Sequence, residues 1–402
     1  MTKHDVIIIG GGPGGSTAAS ILARAGLDVL IIERELYPRF HIGESLLPAS
    51  MPVFKKIGFY AALDSGKYIR KYGARFIDYS NDDEVYFGFQ EGLNPEIPMA
   101  FEVERSLFDK DILAHAVSCG AKLHQPETVT VVDVCASGVV VTTNLGEYAC
   151  DYVMDVTGRD SFLGKKLSTR QANKGLNNVA VFAHYKGVHR YEGLAEGDIT
   201  IGLLPEGAWT WIIPFKNGIT SVGVVSSSSS SSSSSSQLAG ENDMEAYLNR
   251  RLRGSDRVRG YMENSERVGD VRSIGNYSHT SDKFFGDRWI LSGDAALFLD
   301  PIFSSGVHMS ISSSSFAAET ILSAFNAGHA SLTEAGRGDA YESKVRLGAK
   351  RFRNLIMMFY EGSFVGQMKK VLHREHVRRG FTSAVAGDVW NEDNYLFEKN
   401  VL

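Results

Sequence analysis

Gly10, Gly12 and Gly15 stand in the segment Gly10-Gly11-Gly12-Pro13-Gly14-Gly15, a spacing that can bind an anion. The continuous apolar run His4-Asp5-Val6-Ile7-Ile8-Ile9 precedes it and reads as a fully buried parallel strand. A helical pattern through Ser16, Ala18, Ala19, Ile21, Leu22 and Ala25 follows, and Gly26 closes it. In that strand–turn–helix context the glycines let the backbone approach a pyrophosphate, which then lies at the positive end of the helix. Leu27–Ile32 reads as a second strand, and Glu33 at its end places a carboxylate where ribose hydroxyls would be bonded. The set predicts a dinucleotide site rather than a bare turn.

Three further groups of residues could do chemistry. Trp209-Thr210-Trp211-Ile212-Ile213-Pro214 reads as a buried strand whose pairing ends at Pro214. Its two indoles are expected on opposite faces, one in the core and one lining a cavity. Lys71 belongs to a basic cluster with Lys67, Arg70 and Arg75. Such a cluster is ordinarily solvated surface, but a desolvated lysine would have a lowered pKa and a free amine. Finally, Val153–Arg159 and Trp289–Ala296 read as buried strands ending in turns. Gly293-Asp294 falls at the C-terminal end of the second, where doubly wound sheets place ligand contacts. A helix is expected to begin near Asp294, which by itself would equally suit a helix N-cap.

The glycine turn with Glu33, the Val153–Arg159 turn and Gly293-Asp294 together resemble the FAD-binding frame of the p-hydroxybenzoate hydroxylase type of flavoprotein. Val103-Glu104-Arg105-Ser106-Leu107-Phe108-Asp109 fits that pattern too. The resemblance implies FAD, with Gly10, Gly12, Gly15, Glu33, Arg39, Glu44, Ser45, Arg105, Asp294 and Gly306 as binding residues. Asp294 would bond a ribityl hydroxyl, and the helix after it would aim its N-terminus at the flavin ring.

Within that frame the chain resembles flavin-dependent halogenases over about residues 1–345. Trp209–Pro214 matches W-x-W-x-I-P, and Gly43-Glu44-Ser45-Leu46-Leu47-Pro48 matches G-E-S-x-x-P. Asp300-Pro301-Ile302-Phe303-Ser304-Ser305-Gly306-Val307-His308 is similar to the halide-site loop, and Lys71 aligns with the catalytic lysine. The resemblance implies that reduced flavin and O₂ give a C4a-hydroperoxide. Chloride or bromide, held by the backbone N–H groups of Ser305 and Gly306, would attack it and release hypohalous acid. Lys71 would carry the halogen as a chloramine or by a hydrogen bond. Trp209 and Trp211 would keep the substrate from the hydroperoxide. Tryptophan halogenases carry a Glu where this chain has Phe303, so the resemblance points to a phenol or pyrrole, free or tethered to an acyl or peptidyl carrier protein. His308 is expected to be structural. Two alternatives stay open: an FAD monooxygenase or geranylgeranyl-reductase-like oxidoreductase, and a non-catalytic flavin-binding protein.

The rest of the chain fits this reading. A net charge of −5 over 402 residues gives no sign of nucleic-acid binding. Cys119, Cys135 and Cys150 have neither metal nor C-x-x-C spacing and suggest reduced thiols. No apolar run reaches the ~20 residues of a membrane span, and a first strand at residue 4 or 5 leaves no room for a signal peptide. A cytoplasmic location is expected. No second nucleotide fingerprint appears, so a separate reductase is expected to supply FADH₂. The basic stretch Lys369–Arg379 reads as a solvated helix face that could dock an acidic carrier.

The expected fold is α/β (α+β overall), a Rossmann-like FAD domain interleaved with a β-sheet substrate domain. Residues 1–75, 101–170 and 270–345 are assigned to the first, 76–100 and 171–269 to the second, and 346–402 to C-terminal helices. Met357, Met358, Phe359, Phe364 and Met368 read as a packing stripe in those helices. The serine run Ser226–Ser236 predicts a flexible loop, and Ser312–Ser315 falls where a helix should carry apolar core residues. No function is read from either run.

Overall fold

Val6–Ile9 carry apolar side chains at every position, which suits a strand covered on both faces. The computed structural model places Thr2–Ile9 at the centre of a parallel array, with these four residues buried. It describes residues 2–135, 137–167, 169–173, 178–204, 207–227, 241–275, 277–362, 364–399 and 401–402. Val29–Ile32 pairs with the central strand on one side, with Lys122–His124 beyond it. Glu147–Asp155 pairs on the other side, and Trp289–Leu291 lies parallel to its last three residues. The sheet continues antiparallel through Gly138–Thr143 and Val129–Cys135.

The helix Pro13–Arg24 packs back on the central strand only because glycine stands at the crossing. Gly10 adopts φ +107°, and a Cβ there would lie 2.5 Å from the Val156 carbonyl oxygen. A Cβ on Gly15 would lie 1.9 Å from the Gly10 carbonyl oxygen. The positive φ favours glycine at the first position, and lack of space requires it at the second.

A second seven-stranded sheet runs, in spatial order, Glu266–Gly275, Asn178–Lys186, Ile219–Ser227, Trp209–Pro214, Ile199–Leu203, Gly73–Asp78 and Asp83–Gly88. Its two faces bury different cores. Ala180, Phe182, Trp209, Trp211, Ile213 and Val225 join the main core of the molecule. Val181, Ala183, Ile212, Val222 and Val224 form a smaller core with Leu248, Leu252 and Val258 of two covering helices. The expectation for the two tryptophans is therefore corrected. Residues two apart on a strand share a face, and both indoles point the same way.

The long helix Ser305–Asn326 packs along Pro13–Arg24, and Arg337–Tyr360 packs on it in turn. Phe359, Phe364 and Met368 are buried, while Met357 and Met358 are half-buried at the edge of the same core. The basic stretch is not one helix face. A turn at residues 372–374 separates Phe364–Val371 from Glu375–Val385, Lys369 pairs with Asp83, and Arg378 pairs with Glu91. Ser312–Ser315 are buried in the long helix against the expectation of apolar side chains. The Ser313 hydroxyl donates to the Met309 carbonyl at 2.6 Å, and the Ser292 hydroxyl lies 2.8 Å from Ser313 Oγ and 2.9 Å from Ser314 Oγ. Such back-bonding meets the polar demand of buried serines. Of the longer run, Ser226 and Ser227 end a strand, and 228–236 lie outside the described residues.

Gly15→Ala should force the helix away from the strand, at a cost of ~1–3 kcal/mol typical of overpacking. Urea unfolding and the flavin content of purified protein check this; wild-type values for both would contradict the packing argument.

Candidate active site

The parallel strands end at a cavity of about 470 Å³ lined by residues of both sheets. Its nucleotide end is built from Gly10, Gly12, Glu33, Arg39 and Arg105. Glu33 Oε2 accepts the Gly11 N–H at 2.7 Å, which holds the carboxylate at the end of its strand. Buried Asp109 fixes two arginines at the cavity edge: Arg105 donates to it from Nε at 2.7 Å and Nη2 at 3.0 Å, and Arg39 from Nη1 at 3.0 Å. Gly15 is not on the cavity wall and acts through packing alone.

Asp294 lines the cavity, but the helix expected beside it is absent. Gly293–Ala295 makes one 3₁₀ turn and the chain returns to a strand at Leu297–Phe298. Burial pushes the Asp294 carboxyl up to about 6, against the pull of Arg105 and Arg159. The helix end at the cavity is instead that of Ser305–Asn326, reached through Asp300, whose Oδ1 accepts the Ile302 N–H at 3.1 Å, and Ser304 at φ +55°. Ser304, Gly306 and Val307 line the cavity, whereas Ser305 is buried behind them. The first turn of that helix carries N–H groups with no partner one turn back and the positive end of the dipole. His308 is buried away from the cavity, its Nδ1 3.0 Å from Ser50 Oγ.

The far wall is apolar and includes Ala180, Ile201, Trp209, Trp211 and Ile213. The two indoles, 2% and 5% exposed, lie with centroids 5.9 Å apart. Trp211 crosses Gly223 on the next strand, where a Cβ would come within 2.2 Å of the ring, and donates from Nε1 to Ser221 Oγ at 3.1 Å. Trp209 Nε1 donates to Tyr360 Oη at 2.8 Å. Tyr360 in turn lies 3.2 Å from both oxygens of buried Asp300, and Asn178 Nδ2 donates to Asp300 at 2.8 Å. Phe303 packs among Phe76, Phe359 and Phe364.

Lys71 reaches the site from a third direction. Ile69–Lys71 pairs antiparallel with Ala100–Glu102, and the Glu44–Leu46 segment runs along the other edge of Phe101–Val103. This ribbon places Lys71, Ser45 and Glu102 together. Lys71 is 1% exposed; its Nζ donates to Ser45 Oγ at 2.7 Å and to the Leu46 carbonyl at 3.2 Å. Ser45 Oγ donates to Glu102 Oε1 at 3.1 Å, and Lys71 Nζ is 4.0 Å from that oxygen. Burial lowers the pKa of Lys71 against the charges of Glu102 and Asp198, and burial pushes Glu102 up to about 8. Lys67 and Arg70 behave as surface, pairing with Asp111 and Asp64, whereas Arg75 is half-buried, pairs with Glu84 and lies over the Tyr86 and Tyr191 rings. Lys71 does not itself line the cavity; Ser45 and Glu44 do, and Glu44 Oε1 lies 2.8 Å from His184 Nε2. Glu102, Asp300 and Tyr360 were not singled out by their types. The signal for Glu102 was a charged residue inside the apolar run Ala100-Phe101-Glu102-Val103.

The groove suits a flavin dinucleotide by its own geometry: Gly10 and Gly12 line it with bare backbone, Glu33 sits at the strand end, and Glu44 Oε2 is buried with no partner among the described residues. The family model described as FAD binding domain matches residues 3–353. The 1H-pyrrole-2-carbonyl peptidyl-carrier-protein chlorinase of Pseudomonas fluorescens is 32% identical over 391 residues, covering 90% of this chain and 84% of that protein. The solved flavin-dependent brominase Bmp2 superposes with a TM-score of 0.87 at 28% identity, covering 100% of this chain and 98% of that one. A flavoprotein/dehydrogenase of Cytophaga hutchinsonii gives a TM-score of 0.87 at 28% identity, covering 99% and 96%. With an FAD-binding frame over most of its length, the chain is an FAD-dependent oxidoreductase, and it belongs to the flavin-dependent halogenases. No helix among the described residues is long and apolar enough to cross a membrane.

Burial pushes the Asp300 carboxyl up to about 6, partly offset by its bonds from Asn178, Ile302 and Tyr360. The unfolded chain ionises first, so this group favours the fold below its ordinary pKa and that contribution is lost as pH rises from about 4 to about 6, by about 3 kcal/mol. Urea unfolding over this range should show wild type losing about that much relative to Asp300→Asn. Parallel curves would place Asp300 in a wetter site than the one described.

Proposed function

We propose that this halogenase acts on an electron-rich ring that activates itself, a phenol or pyrrole, with chloride or bromide as the halogen source. The observation that carries the reading is Lys71, buried and bonded to Ser45 at the edge of the cavity. Bound FADH₂ and O₂ supply the oxidising equivalents that convert halide to hypohalous acid. Gly10, Gly12, Glu33, Arg39, Arg105 and Asp294 hold the dinucleotide, with Glu44 and Ser45 beside it. The N–H groups of Ser305 and Gly306, at the positive end of a 22-residue helix, hold the halide.

The Lys71 amine then takes up the halogen: an N–halogen bond forms, the O–halogen bond breaks, and water leaves. Attack by a ring carbon transfers the halogen, and the ring proton returns to the nitrogen. Desolvation of Lys71 favours the free amine this step needs. Trp209 and Trp211 fill the apolar wall and keep a ring-sized substrate out by volume. Phe303 supports the choice of substrate, because the side chain at that position packs among Phe76, Phe359 and Phe364 and offers no carboxylate to stabilise charge on a less activated ring.

A carrier-tethered substrate is supported by the relative that acts on a carrier-bound pyrrole, and by the exposed Lys370, Arg374 and Arg379, which offer charge complementary to an acidic carrier. A separate flavin reductase completes the cycle, in keeping with the single nucleotide fingerprint.

Lys71→Ala should keep FAD and still consume O₂ while halogenated product falls by about 10²–10⁴-fold, the range for loss of a positioned catalytic group. Product yield within a few-fold of wild type would remove Lys71 from the mechanism.

A further inference from the structure

A buried lysine needs a reason for its carboxylate partner as well as for itself. Replacing a buried ion pair by apolar residues of similar size is often neutral or stabilising, so pairing alone is a weak reason to keep one. The Lys71–Glu102 pair is 1% exposed at both ends, and Glu102 Oε2 has no hydrogen-bond partner among the described residues, which is costly. Its other oxygen is reached from Lys71 through one hydroxyl: Nζ–H to Ser45 Oγ at 2.7 Å, and Oγ–H to Glu102 Oε1 at 3.1 Å. Every donor in this chain points toward the carboxylate.

The other charged groups around the pair have other partners. Asp198 accepts the Tyr72 and Gly73 N–H groups at 2.7 and 2.8 Å and the Tyr86 hydroxyl at 2.8 Å. Glu44 is 2.8 Å from His184. The aromatic neighbour is Phe89, whose ring centroid is 5.4 Å from Nζ. Glu102 is therefore the group connected to Lys71 for proton transfer.

We propose that Glu102 is the positioning residue of Lys71: as a carboxylate it holds the ammonium form, and by accepting its proton across Ser45 Oγ it releases the amine that takes up halogen. The Lys71 proton passes to Oγ as the Ser45 proton passes to Oε1; the total charge of the unit is unchanged and no outside base is required. Burial favours the uncharged form of both partners, which brings the neutral form of the unit nearer in energy to the ion pair. This rests on the role given to Lys71 above.

The test uses the FAD-loaded full chain with cyanate, a small reagent that carbamoylates free amines, and reads modification of Lys71 against pH by peptide mass spectrometry. Glu102→Gln should move the midpoint down by about one to three pH units, the effect of removing an opposite charge at this separation. Glu102→Asp should restore part of the shift. If the Gln variant loses FAD, Ser45→Ala, which keeps both charges and removes the bridge, should also lower the midpoint. Midpoints equal to wild type in the FAD-retaining variants overturn the proposal. The acid side of the halogenation kcat/KM profile should move with the labelling midpoint. Labelling that shifts while halogenation does not would uphold the Glu102 pairing and contradict Lys71 as halogen carrier.

Discussion

Placing an ammonium group out of water costs several kcal/mol unless neighbouring groups compensate, and the architecture around Lys71 is arranged to do so. Its partners come from segments remote in sequence: Ser45 and Leu46 after the first βαβ unit, and Glu102 from a short strand before the next helix. They meet because Ala100–Glu102 pairs with Ile69–Lys71 on one edge and with the Glu44–Leu46 segment on the other. The ribbon joins the two sheets. Glu44 and Ser45 face the flavin groove, and the strand after Lys71, Gly73–Asp78, belongs to the sheet that carries the tryptophans.

The cavity inherits its chemistry from what each sheet can offer. The parallel sheet ends in backbone N–H groups, a carboxylate and clamped arginines, which suit phosphates and sugars. The second sheet offers an apolar face, since strand alternation sends Trp209, Trp211 and Ile213 to the same side. Between them stands the N-terminus of Ser305–Asn326, positive and short of acceptors. A polar cofactor and an anion can thus be placed within one cavity whose remaining wall is apolar.

Legibility in the sequence followed the range of the interactions. The glycine turn could be read directly because its constraints are local: Gly10 needs its positive φ, and Gly15 meets Gly10 five residues away. The tryptophans were visible as residues but assigned to opposite faces, although a period of two puts them together. Asp294 was found at the right strand end, yet the helix dipole at the cavity begins at Ser305, after an intervening short strand. Lys71 stood out only through family resemblance, since among Lys67, Arg70 and Arg75 nothing marks it as the buried one. Glu102 was passed over because a single glutamate in an apolar run shows no partner until the ribbon forms. The buried Ser313 and Ser314 were unexplained for a similar reason, as their partners are carbonyls of their own helix and the hydroxyl of the distant Ser292.

The measurement that bears most directly on this account needs no organic substrate. Protein loaded with reduced FAD is mixed with oxygen, with and without chloride or bromide, while the flavin spectrum and released H₂O₂ are followed. If the Ser305–Gly306 helix end binds halide for oxidation, halide should speed the return of oxidised flavin and lower the H₂O₂ yield as hypohalous acid forms instead. Reoxidation at the same rate with and without halide, accompanied by stoichiometric H₂O₂, would contradict the account.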